Sequence, residues 1–197
     1  MSAEFPRAGF WRRFASLIYD TLVIIAFAML TTVLYLFAVQ GLISLELLSI
    51  GDAEDVSAFI QNSPLLYGIR SVLLVIVSVS FFSYFWAKSG QTIGMRAWRL
   101  KVQTLDGQLI SWQQGALRAI TALLGLGNLV VLVDFKNKRA LQDYIAKTEV
   151  ITLTKEENKR IYRSLDSVIK QPIRHNKSVA TNHAFFVHFT RVLHSFI

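Results

Sequence analysis

Asp20 is a carboxylate set two turns inside an apolar run that begins at Phe14 and continues to Val39. A charged side chain in hydrocarbon costs roughly 2.5–3.5 kcal/mol on insertion scales, so it is retained for a partner, a water-filled path or both. Arg13 stands seven residues earlier, on the same helical face but about 10.5 Å away along the axis, which is too far for a simple direct pair. The stripe that carries both, Arg13, Ser16, Asp20, Ile24, Ala28, Thr31 and Tyr35, is polar or small at most steps. Such a stripe faces protein or water rather than lipid. The partner of Asp20 is therefore expected elsewhere: first Arg118, at the start of a later apolar stretch, then Arg96 or Arg99 in "GMRAWRL". Two chemistries fit. Asp20 could be a site for a monovalent cation or a proton, its change of charge state coupled to movement. Alternatively the arginines and aspartates form static ion pairs that lock helices in register.

The elements that must position these residues are helices in a membrane. The chain has 197 residues, 53% of them hydrophobic and only 17% charged, too apolar for an ordinary soluble domain of this size. Phe14 to Val39 reaches about 39 Å as a helix and Leu65 to Ala87 about 34 Å, so each can cross a bilayer core of roughly 30 Å. The first run has no small-residue cleavage site at its end and is longer than a signal peptide's core, so it is expected to stay as an anchor. Arg7, Arg12 and Arg13 precede it, whereas Glu46, Asp52, Glu54 and Asp55 follow it with no Lys or Arg before Pro64. The positive-inside rule puts the N-terminus in the cytoplasm and the segment 40–64 outside. Arg70 is expected to snorkel to the outer surface, and Tyr84, Trp86 and Lys88 to anchor the inner one.

A third apolar stretch, Ala119 to Val133, is short for a span at about 22 Å. Basic residues follow it at Lys136, Lys138 and Arg139, and its centre, "LLGLGNLV", holds Gly125, Gly127 and Asn128. Those stop residues favour two half-helices dipping in from the cytoplasmic side, with a tilted third span as the rival. Between spans, "RLKVQTLDGQLISW" (99–112) reads as a β-hairpin across Asp106-Gly107, and "TEVITL" (148–153) as a further strand that adds to it. The fold class is thus an α-helical integral membrane protein with a small cytoplasmic β-hairpin: a membrane domain over 1–153 and a basic tail over 154–197. The tail ends in "HAFFVHFTRVLHSFI", which has the pattern of an interfacial amphipathic helix.

Several chemistries find no residues. There is no cysteine, which removes disulfides and thiolate metal sites, and all four His fall in the tail, away from the core carboxylates. No Ser/His/Asp set can be assembled in the membrane domain, so no enzyme is expected, and no cofactor or metal site. A net charge of +8 flanks the apolar runs instead of forming a nucleic-acid module, and no nucleic acid is expected as a partner. "SGQTIG" (89–94) could aim backbone N–H groups at an anion near Arg96, or serve only as a glycine-flanked entrance to a short helix. With two or three spans per chain, a homo-oligomer is expected to enclose any polar pathway.

Three blocks resemble the RDD family of small bacterial membrane proteins, named for one arginine and two aspartates. "AGFWRRFASLIYD" (8–20) matches its opening at Arg13 and Asp20. "SGQTIGMRAWRLKVQTLDGQLISWQQGALR" (89–118) is similar to its middle block, and "DFKNKRALQDYIAKTEVI" (134–151) to its closing block, where Asp143 falls on the second aspartate. The family commonly has His before that aspartate, Arg after it and Gly before the Thr; here those places hold Gln142, Tyr144 and Lys147. The resemblance implies a multi-spanning domain of the bacterial inner membrane, with transport proposed and sodium/proton exchange suggested for some members.

Overall fold

A computed structural model describes residues 5–134 and 136–170. The chain divides into two units, Met1–Thr154 and Lys155–Ile197. Helix α1 runs Phe10–Ser44, about 52 Å long at 1.5 Å per residue, so it exceeds the bilayer core by several turns. It is longer than its apolar run because nothing stops it: Gly9 is extended at its start, and the chain turns left-handed only at Glu46. Residues Ile24, Ala28, Thr31 and Tyr35 are half-buried and Arg13, Ser16 and Asp20 fully so, whereas Ile18, Leu22, Ile25, Met29, Val33 and Phe37 point outward. That is the polar stripe expected to face protein, with lipid-facing residues on the other side.

A short helix α2, Val56–Asn62, capped by the Asp55 carboxylate on the Ala58 N–H, precedes α3, Pro64–Ser89. Ser63 caps α3 through the Leu66 N–H, with Pro64 at its first position, where a missing N–H costs nothing. The α1 and α3 helices are apolar and long enough to cross a membrane. They pack through Phe27 on Phe81, ring centroids 5.7 Å apart, and the Tyr35 hydroxyl donates to the Leu66 carbonyl at 2.8 Å. Arg70 lies over the Tyr67 ring.

Gly90 ends α3 in a left-handed turn (φ +73°), and a Cβ there would stand 2.6 Å from the Val102 carbonyl oxygen, so only glycine lets the chain fold back this closely. Helix α4, Ile93–Ala97, and strand β1, Leu100–Thr104, follow. Then come α5, Trp112–Thr121, whose Ser111 and Gln114 form a reciprocal capping box, a 3-10 helix Leu123–Leu129, and the single turn α6, Val130–Val133. The third apolar segment is bent, not straight: its halves, Trp112–Thr121 and Gly125–Val133, meet at 84°, and Gly125 has φ +96°. Outward, this segment shows Leu117, Ile120, Leu126, Leu129 and Leu132; inward, Gly115 rests against Ser83 of α3, so close that a Cβ would be 2.9 Å from Ser83 Cα.

Helix α7, Leu141–Ile145, leads into β2, Thr148–Thr152. The two strands pair antiparallel, from Leu100↔Thr152 to Thr104↔Thr148. The expected small sheet is present, with one correction to its pairing. The Asp106-Gly107 turn forms, with Gly107 at φ +79°, but of the arm after it Gln108 alone bonds Thr104, through its carbonyl and its N–H, and β2 takes the partner's place. The physical reason is that Ser111 caps α5 immediately, which leaves too few residues for a return strand. On the other edge of β2, the Ala8 N–H donates to the Val150 carbonyl and the Thr152 N–H to the Pro6 carbonyl, so the sheet binds the start of α1 to the end of the domain. A core of Ala8, Trp86, Met95, Leu100, Val102, Ile110 and Val150 fills the space beneath.

In the second unit, α8, Lys155–Lys170, begins with Glu156 and Glu157 in its first turn, a placement the helix dipole favours. The amphipathic helix expected from His183 lies outside the described residues.

Candidate functional site

The buried charges of the first unit sit in two adjoining sets. In one, Asp20 reaches from α1 to the start of α4. Its Oδ2 accepts from the Thr92 hydroxyl at 2.6 Å and its Oδ1 from the Gly94 N–H at 2.8 Å, with the Ser16 hydroxyl one turn back at 3.5 Å. Thr92 in turn caps α4 through the Met95 N–H. This contact needs glycine at 94, because a Cβ there would fall 2.2 Å from the Ser16 carbonyl oxygen and 3.0 Å from the Asp20 carboxylate. One backbone N–H of "SGQTIG", that of Gly94, does meet an anion, and that anion is the protein's own Asp20.

In the other set, Asp143 is wholly buried between two arginines. Arg13 donates from Nη1 to its Oδ2 and Arg118 from Nη1 to its Oδ1, each at 2.7 Å. Asp143 also receives the Ala140 N–H at 2.9 Å, so the same carboxylate caps α7. Burial by itself would raise the Asp143 pKa, but the charges of Arg118 and Arg13 and the Ala140 N–H outweigh it and hold the carboxyl below the usual carboxylate range. Arg13 also donates from Nε to the Ala8 carbonyl and from Nη2 to the Lys138 carbonyl; Arg118 also bonds the Thr148 hydroxyl and lies over the Trp86 ring at 5.1 Å. Nearby, Arg139 stacks on Tyr144 and donates to the Asp143 and Thr148 carbonyls. The Tyr144 hydroxyl donates to Asp134; with the Asn137 and Arg139 N–H groups, that bond lowers the Asp134 pKa.

The structure joins the residues singled out in the sequence differently from the expectation. Arg118 is bonded to Asp143, not to Asp20, because α5 and α7 pack side by side and Asp143 is the nearer carboxylate. Arg13 and Asp20 do not pair with each other; each faces a segment far along the chain. Arg96 follows Gly94 on α4, half-buried, and Arg99 sits at a left-handed turn (φ +56°) leading into β1. Thr92 and Thr148 escaped the sequence reading altogether. Both are fully buried hydroxyls next to a charge, and the only sign of Thr92 was its place in a Gly-Gln-Thr-x-Gly run.

The two sets border a cavity of about 70 Å³ lined by Arg13, Ser16, Asp20, Arg118, Asn128 and Gln142 on its polar side. Trp86, Met95 and Leu100 are among the residues of its apolar side.

Two membrane-length helices, a bent apolar segment and a small sheet, closed by an arginine–aspartate–arginine cluster beneath a capping aspartate, define an integral membrane domain built for a lipid bilayer. The RDD family model matches residues 7–147, most of the chain, and the protein belongs to the RDD family. No curated protein and no solved structure matches it.

Proposed function

We propose that this is a membrane scaffold or partner-binding module of the bacterial inner membrane, whose RDD residues are an internal lock rather than a reaction site. The observation that carries this reading is the bonding of Asp143: both oxygens are taken by Arg13, Arg118 and the Ala140 N–H, and Arg13 has its three nitrogens engaged. Charges so committed hold α1, α5, α7 and β2 in register and leave exposed Arg12, Lys88, Lys136, Lys138 and Lys147 to meet anionic lipid or a protein partner. In this reading the N-terminus is cytoplasmic, residues 45–63 face outward and the bent segment re-enters from the cytoplasm, which keeps Lys136, Lys138 and Arg139 inside. The chain has no cysteine, so single cysteines at Ser57 and Gln108 report orientation directly. Ser57→Cys should react with an impermeant maleimide in intact cells and Gln108→Cys should not. The reverse pattern would overturn the topology.

A second reading, ion movement of the sodium/proton exchange type in a homo-oligomer, is favoured by the cavity beside Asp20. Proteoliposomes tested for pH change under sodium, potassium or proton gradients separate the two. A flux that is lost in a folded Asp20→Asn variant supports exchange; silence in both, with loss of stability or assembly in the variant, supports the lock.

A further inference from the structure

The lock leaves the cavity itself unexplained. Its 70 Å³ is room enough for water or for a small ion. Two polar atoms of its lining residues have no partner: the Arg118 Nε–H and the Gln142 Oε1, on side chains about 2% and 5% exposed. Gln142 bonds Asn128 amide to amide at 2.9 Å, and turning both amides end for end keeps that bond while replacing the unpartnered oxygen by an N–H donor. The charges on the wall do not cancel locally. Arg13 and Arg118 bring two positive charges and Asp143 one negative, so the cluster carries a surplus of one, and Asp20, which also lines the cavity, is the negative charge that balances it. Among the described residues, the charged side chains on the elements next to Asp20 are Arg96 on α4 and, at the end of α3, Lys88, which is exposed and turned to the Tyr84 hydroxyl; the 3-10 helix carries none.

We propose that this cavity binds a small monovalent anion, of the size of formate or chloride, together with a proton on Asp20. An ionised Asp20 repels an anion from the space it borders. Once it takes a proton, the surplus positive charge of the arginine cluster is left beside a partly apolar cavity, where an ion–donor contact is stronger than in water. The proton has a place to go: Oδ2 becomes a donor, and the Ser16 hydroxyl at 3.5 Å, also on the cavity wall, becomes its acceptor. Anion and proton enter together, so the buried charge is unchanged overall. This is a statement about binding and holds for the lock and for ion movement alike.

The test is calorimetric titration of the full chain in detergent with sodium formate, from about pH 5 to about pH 8, against sodium gluconate, a much bulkier monovalent anion. Wild type should bind formate in acid, with affinity falling about tenfold per pH unit over the range in which one proton is taken up on binding. Asp20→Asn should bind formate with no such dependence. Wild type serves alone if that variant fails to fold. Formate no better than gluconate at every pH, pH-independent formate binding by wild type, or a response to sodium over choline with no anion preference would each overturn the proposal.

Discussion

Replacing Asp143 by Asn tests the lock at its centre. Asn keeps the size and can still accept one hydrogen bond, so the change removes charge with little change in volume. Two guanidiniums at 2.7 Å, on side chains 4% and 2% exposed, then lie together without an anion. Breaking a buried pair by removing one partner costs about 3–5 kcal/mol, and here one carboxylate serves two arginines, which places the expected loss at the upper end, about 4–5 kcal/mol. Set against a typical stability of about 5–15 kcal/mol for a folded domain, that is enough to leave a sizeable unfolded fraction on warming. Reversible unfolding of purified protein in mixed micelles, followed by tryptophan fluorescence, measures it. Asp143→Asn combined with Arg118→Met should lose less than the sum of the two single changes by more than about 1 kcal/mol, because the pair acts as a unit. If Asp143→Asn stays within about 1 kcal/mol of wild type, the cluster is not holding the domain and the reasoning fails.

Other outcomes follow from the same geometry. Gly94→Ala drives a methyl into the Ser16 carbonyl and the Asp20 carboxylate, and should cost about 1–3 kcal/mol as overpacking, measured in the same micelles. Gly107→Ala, whose Cβ meets nothing within 4 Å, should cost only the left-handed backbone, about 1 kcal/mol. For acidity the sign is set by Asp143, whose folded pKa lies below its ordinary 3.8. Its contribution is fully present above that ordinary value and is lost as pH falls through the folded pKa, so the wild-type melting temperature should drop only in strong acid, and this part of the drop should vanish in Asp143→Asn.

Much of this domain is legible in the sequence, for reasons that differ by element. Both long helices follow from run length and composition, and the buried stripe of α1 from a period of 3.6, because lipid on one side and protein on the other impose the strongest contrast a helix can show. The break at Gly125 and Gly127 follows from residue types that end helices. Partner choice is different in kind. Asp20 and Asp143 are both aspartates seeking cations on sequence grounds; one is satisfied instead by a hydroxyl and a backbone N–H, and only the packing of α4 on α1 at Gly94 decides it. The strand pairing failed to show for a related reason. A turn signal such as Asp106-Gly107 predicts local return, but β2 competes from about 45 residues away and wins through contacts no local window contains.

That long-range character makes the cluster a closing device, and it sets where the chain can be cut. Arg13 and Asp143 are 130 positions apart, and Ala8 joins Val150 across a similar interval. Loops that long carry an entropy cost that rises only slowly with length, so a few strong contacts suffice to close them, provided all are present at once. Removing the chain after Arg139 deletes Asp143 and β2 together. It leaves Arg13 and Arg118 buried without their anion, and β1 and residues 6–8 with unpaired backbone. Removing it after Thr154 deletes only the second unit and leaves every contact described within the first. Expression of both truncations as fluorescent fusions, followed by size-exclusion in mild detergent, should give a monodisperse peak for the cut at 154 and aggregate for the cut at 139. A monodisperse, thermally stable protein ending at 139 would mean that α1, α3 and α5 hold together through apolar packing alone, and that the arginines and aspartates are kept for something other than closure.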